Sequence, residues 1–341
     1  MSGVANGPPI QDPAGRELGL SAPQVPFPVE APFRMRPDLR KADLAEPPVA
    51  FDALAPRYLA EKLAMMQAAA SCLAVDAAAR DGWAGTLERL LRWLARAAPD
   101  WFVAEPDGWR LMLPGLRLRR ADWSVTPASG APTPGRVPAP RAMCDWLAAQ
   151  PPAERVAHAI GLGMQDDWVL MQHDPDAAGS GTVRARWLHV CFPSGWLPAD
   201  KVGCDLASIH APVADGAPLR AASAGLARAM TDKGPFVRHV WTLAASGALA
   251  QPPGQACRPA EALDAIWFRV ERQLTAPLGQ GWSLFLIRVH VAPLARLAGD
   301  AARRAALVGA LASMSEPVVR YKRIGPLREQ VLAAWSAGEP E

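Results

Sequence analysis

The chain has 341 residues, half of them apolar by count, with 20% charged and a formal net charge of +3. The charged share falls below the usual value of roughly 25%, and no run of Lys or Arg stands out, so neither a nucleic-acid nor an anionic-membrane partner is indicated. No apolar run approaches the roughly 18 residues of a membrane helix, and the first thirty residues lack a basic-then-apolar signal pattern, so a soluble cytoplasmic protein is expected.

Residues 1–50 are rich in Pro and Gly and lack periodicity, which predicts an extended arm, loosely ordered to about Ala22. Residues 51–341 are expected to form one domain. Tyr58, Leu59, Leu63 and Met66 recur at helical steps and predict one buried helix face. A second helix is expected over Thr86–Ala97, with Leu87, Leu90, Leu91 and Leu94 inward and Pro99 closing it. Trp109–Leu118, with Pro114-Gly115 in its middle, reads as a hairpin, and the proline-rich 124–140 as a linker. Short helices fit Arg141–Ala149 and Ala153–Leu162. Strand-length apolar stretches follow at Trp168–Gln172, Val183–Phe192, Phe236–Leu243, Ala265–Leu274 and Trp282–Val291. The tail reads as helical over Pro293–Ala312 and Pro326–Ser336. Helices, then strands, then helices predict an α+β fold with an antiparallel sheet.

The five cysteines show no CxxC spacing, which excludes the common zinc and cluster motifs and disfavours a disulfide framework. Scattered glycines form no dinucleotide fingerprint. Phe192-Pro193-Ser194-Gly195-Trp196 lacks the glycine before serine of a hydrolase elbow. None of the six histidines pairs with another at i,i+4. His210 stands apart, because Pro212 stiffens an apolar stretch, Ile209-His210-Ala211-Pro212-Val213, into what reads as a rigid loop. One imidazole suffices for heme iron, since the porphyrin supplies the other four nitrogens, and Cys191 and Cys204 are rival axial ligands. In a strand, Arg269, Glu271 and Gln273 share one face, while Phe268, Val270 and Arg272 share the other. Arg272 among apolar residues needs a partner, either a porphyrin propionate or a protein carboxylate, and Arg288 raises the same question. Asp166-Asp167 reads either as an acid pair at a site or as a solvated strand start, and the second is favoured because adjacent strand side chains point to opposite faces.

Several segments, in order over about residues 163–322, resemble the heme-dependent oxidative N-demethylase alpha-subunit family. They include Gly163-Met164-Gln165-Asp166-Asp167-Trp168, Val190-Cys191-Phe192-Pro193-Ser194-Gly195-Trp196, Lys201-Val202-Gly203 through Val213, Arg238-His239-Val240-Trp241, Phe268 through Leu274, Leu284 through Arg288, and Tyr321-Lys322. The resemblance implies a PAS-like antiparallel sheet flanked by N- and C-terminal helices and holding heme b. It implies an O2-dependent demethylation of a small N-methylated amine that releases formaldehyde. Electrons would come from NADPH through flavin and iron–sulfur centres on partner reductase subunits. By motif position, His210 is the implied heme ligand, and Arg238, Arg269, Arg272 and Arg288 are implied propionate or site contacts. Glu271 is implied to hold a cationic amine. The chain departs from the family pattern at Asp166, Ala214, His239 or Val240, Thr275–Leu278 and Val289-His290, which bears on the substrate more than on the fold. The rival readings are a non-catalytic heme-binding sensor and a relative that has lost heme.

Overall fold

The structure is a computed structural model that describes residues 18–43, 46–68, 72–128, 139–174, 181–217, 223–254 and 258–336. Its first helix, α1 (Ala55–Gln67), carries Pro56 in its first turn, where a missing N–H costs nothing, and buries Tyr58, Leu59, Leu63 and Met66 as their spacing predicts. It also buries Lys62 completely, which the spacing does not announce. The second helix, α2 (Trp83–Ala97), buries Leu87, Leu90, Leu91 and Leu94. Helices α3 (Pro140–Ala148) and α4 (Pro152–Leu162) follow, each opened by proline.

Seven antiparallel strands make the main sheet. In chain order they are β1 (Arg40–Lys41), β2 (Leu73–Val75), β7 (Asp167–Asp174), β8 (Thr182–His189), β9 (Phe236–Ala244), β10 (Trp267–Gly279) and β11 (Trp282–Pro293). Their spatial order is β1-β9-β10-β11-β7-β8-β2. A four-stranded meander, β3 (Phe102–Glu105), β4 (Gly108–Leu111), β5 (Leu116–Arg119) and β6 (Val125–Pro127), forms a second sheet. The predicted hairpin is therefore the middle of this meander, and the start of the predicted linker supplies its last strand. Residues 129–138 of that linker lie outside the described residues.

Register decides what each face carries. Arg238 pairs with Gln273, which pairs with Ile287, and Thr275 pairs with Phe285, which pairs with Val169. Side chains at paired positions share a face, so this face collects Arg238, Glu271, Gln273, Thr275, Phe285, Ile287, Val169 and Met171. Two helices partly cover it, α5 (Leu206–His210) and α6 (Ser223–Asp232). The opposite face carries Phe268, Val270, Leu274 and Leu286. It packs against two cores, one with α1 and α2 and one with the C-terminal helices.

Several expectations change. His210 is the last residue of α5, not part of a stiff loop, because the Asp205 carboxylate caps that helix by accepting from Ser208 N at 2.7 Å. The predicted tail helix Pro293–Ala312 is broken into α7 (Leu294–Leu297) and α8 (Ala301–Ala312). Asp300 caps α8 on Arg303 N at 2.7 Å. A further helix, α9 (Glu316–Lys322), stands before α10 (Gly325–Ser336). Leu18 and Val29 sink into core clusters, so the arm is anchored already at Leu18, before Ala22. Residues 1–17 lie outside the described residues.

Candidate functional site

The sheet face under α5 opens into a cavity of about 780 Å³, within the roughly 300–1,000 Å³ of small-molecule and cofactor sites. A narrower apolar chamber of about 100 Å³ shares Trp196, Lys201, Ile209, His210, Arg238, Phe285 and Ile287 with it. His210 is half-buried between them. Its Nδ1 lies 2.7 Å from the Leu206 carbonyl oxygen. A carbonyl only accepts, so Nδ1 carries the proton and Nε2 keeps its lone pair for the cavity. Burial, with Arg238 and Lys201 nearby, pulls the imidazole pKa below its ordinary value and keeps the ring neutral. A carbonyl-oriented neutral imidazole is the form in which histidine binds a metal.

Glu271 lies on the same face, and its two oxygens are held by neutral groups. Ser194 Oγ donates to Oε1, and Gln273 Nε2 donates to Oε2 at 2.8 Å. Each neutral group is held by an arginine: Arg238 Nε donates to Gln273 Oε1 at 2.6 Å, and Arg269 Nε donates to Ser194 Oγ at 3.0 Å. Three further polar groups surround Glu271. The Lys201 ammonium sits 4.0 Å from the centre of the Trp196 ring, its pKa drawn down by burial against the pull of Glu271. Lys322 donates to the Trp241 carbonyl at 2.6 Å, and burial lowers its pKa to about 8. Burial, with Glu271 nearby, raises the Tyr321 phenol.

The four implied arginines separate. Arg238 lines the cavity. Arg269 points to the same face but is 1% exposed, and its five N–H groups are already used by Ser194 and the carbonyls of Ala248, Leu249, Phe192 and Pro193. It ties two loops to β10 and has no donor left for a propionate. Arg272 and Arg288 lie on the opposite face. Arg272 donates to the Pro48 carbonyl at 3.2 Å. Arg288 pairs with Asp52 at 2.8 Å and Asp166 at 3.7 Å and lies over the Tyr58 ring. Arg288 thus has the protein carboxylate that one reading gave it, while the contact of Arg272 is a backbone carbonyl.

Asp166 and Asp167 are not solvated; both are buried, 2% and 0% exposed. Asp167 lies 3.3 Å from Lys62 Nζ and accepts from Phe192 N at 2.8 Å. Gln165 exchanges two hydrogen bonds with Asp52. The Gln165-Asp166-Asp167 segment is thus a structural hub. Asp167, His189 and Cys191 also bring possible ligand atoms within 4.8 Å of one another. Lys62 already supplies a positive charge there, and burial holds the Cys191 thiol protonated. Cys204, the other rival ligand, sits at the cavity rim.

The family described as Haem-dependent oxidative N-demethylase, alpha subunit-like, matches residues 49–332. The chain belongs to this family. No curated protein matches it. The N-demethylase-like match takes in every cavity residue discussed above. The sequence alone assigns no role to Lys201, Ser194 or Gln273, although each lies in a segment that carries the family resemblance. No helix among the described residues is long and apolar enough to cross a membrane.

Proposed function

We propose that this chain is the heme-binding, substrate-oxidising subunit of an N-demethylase-like oxidoreductase acting on a small N-methylated amine. The observation that carries the reading is one cavity holding both a neutral imidazole with a free Nε2 and an oriented carboxylate, Glu271. The residues fit heme b: His210 Nε2 would take the iron, Phe285, Ile287 and Val169 would lie along the porphyrin, and Arg238 and Lys201 would meet its carboxylates. We read the sheet with α5 and α6 over one face as the PAS-like part of one domain over residues 51–341, with residues 1–50 as its arm.

Bound there, heme supplies the oxidation of an N-methyl carbon by O2 with two electrons and two protons, giving water and a carbinolamine that falls apart to amine and formaldehyde. The chain's own part is binding and orientation. Glu271 attracts the ammonium form of the amine, and Gln273 and Ser194 fix the carboxylate's direction. The apolar wall excludes water and strengthens that attraction. Electrons come from an NADPH-dependent partner reductase, since no cysteine or glycine motif here suits flavin or iron–sulfur binding.

The test is the full chain expressed with ample heme supply. A Soret band is expected, lost or shifted in His210→Ala. With a reductase and N-methylated amines, NADPH consumption should match formaldehyde release. Heme binding unchanged in His210→Ala would refute the ligand; heme without formaldehyde would refute the demethylase.

A further inference from the structure

Three part-buried cations line the His210 cavity, Lys201, Arg238 and Lys322, and none has an ion pair among the described residues. Heme b brings two carboxylates, which the reading above gives to Arg238 and Lys201. Lys322 remains, and so does Glu271, which also lacks an ion pair there. Lys322 is fixed in place as the last residue of α9. It donates to the Trp241 carbonyl at 2.6 Å, and its ammonium lies 5.2 Å from the centre of the Phe33 ring and 5.6 Å from that of Trp241. These contacts and the negative end of the helix stabilise the charge. They leave two of its three N–H groups without an acceptor among the described residues. Glu271 is the carboxylate whose charge acts on Lys322, yet its oxygens are turned to Ser194 and Gln273. A cation and an anion taken out of water without pairing are costly. A ligand with the opposite charge at each end offsets both.

We propose that the substrate is an N-methylated amino acid, its ammonium held by Glu271 and its carboxylate by Lys322. The proposal rests on the heme reading above, which supplies the oxidation and accounts for the other two cations. A simple alkylamine meets Glu271 but leaves Lys322 unpaired. A carboxylate on the same molecule adds a charge-assisted hydrogen bond in a water-poor site, which both tightens binding and selects against amines that lack it. The reaction balances as before. N,N-dimethylglycine, O2, two electrons and two protons give N-methylglycine, formaldehyde and water. The bond that breaks joins nitrogen to one methyl carbon, and the carboxylate takes part in no bond change.

The probes are N,N-dimethylglycine, its uncharged amide N,N-dimethylglycinamide, and dimethylamine. Calorimetric titration into the full chain with ferric heme and no electron supply reads binding alone. Formaldehyde release with a reductase reads turnover. The wild type should favour dimethylglycine over both other amines by about tenfold or more, in affinity and in kcat/KM. Lys322→Met keeps an apolar stem against Phe33 and Trp241 and removes the charge. It should lower the preference for dimethylglycine over the amide by about tenfold or more, with the Soret band reporting that the variant still folds and holds heme. A wild type that binds the amide or dimethylamine as tightly as dimethylglycine overturns the proposal. So does a Lys322→Met variant with the wild-type preference. Formaldehyde from dimethylamine but not from dimethylglycine sinks the amino-acid substrate and leaves the demethylase standing. Tight, Lys322-dependent binding of dimethylglycine without formaldehyde from any amine refutes the demethylase and leaves the amino acid as the cavity's ligand.

Discussion

A carboxylate near two arginines usually ends in a direct ion pair, but Glu271 does not. Its two oxygens accept from Ser194 and Gln273, and the arginines stand one hydrogen bond further out. Orientation is thereby separated from neutralisation, so Glu271 keeps a negative charge for a ligand. Replacing Gln273 by Leu removes one of its donors and strands the Arg238 Nε–H. A loss of about 1–3 kcal/mol in denaturant unfolding is expected, because the stranded donor is desolvated. A raised KM for the amine with unchanged heme content should accompany it; an unchanged KM would place Gln273 outside substrate binding. The shared face of Arg269, Glu271 and Gln273 was legible from strand alternation alone. The exhaustion of Arg269's donors was not, because its acceptors lie on loops 20 and 77 residues away.

At the level of elements, α1 to α4 were legible, while α5, α6 and α9 were not. Helices α1 and α2 span several turns, so their buried faces repeat often enough to read. Helix α5 has five residues and β2 has three, too few to establish a period. Their existence depends on caps and neighbours, which a pattern search does not weigh. Helix α4 shows what the close packing of elements requires. A Cβ on Gly161 would lie 2.1 Å from the His189 ring, which is itself fully buried and stacked on Trp168. Alanine favours a helix over glycine by about 1 kcal/mol, but overpacking costs about 1–3 kcal/mol and should win. Gly161→Ala is therefore expected to lower the melting temperature despite better helix propensity. A higher melting temperature would show that α4 has room to move away from the sheet.

Across the whole molecule, buried ionisable groups set the response to acid. His158 is 7% exposed and sits 3.1 Å from His189, and burial lowers its pKa to about 4. His290 is driven down to about 3, first by burial and then by Arg288. Both are depressed below the unfolded value of 6.5, so their stabilisation is complete above that pH. It is lost as pH falls through the window down to about 4 and 3. Asp166 and Asp167 act in the opposite sense, since burial raises their pKa and the folded state takes up protons first on acidification. Between pH 6.5 and 4, His158 alone should cost on the order of 3 kcal/mol. His158→Gln should flatten the melting-temperature profile there; a profile as steep as the wild type would exclude His158 as its source.

The pairing of Asp52 with Arg288 joins residues 236 positions apart. A ribosome adding roughly 5–20 residues per second separates their emergence by roughly 10–50 s. Throughout that interval the nascent chain has made Asp52, and over its second half Asp166 as well, but not the cation that both require. The N-terminal half is thus committed to waiting, and a chain truncated before β11 would hold two carboxylates that its own core could not accept.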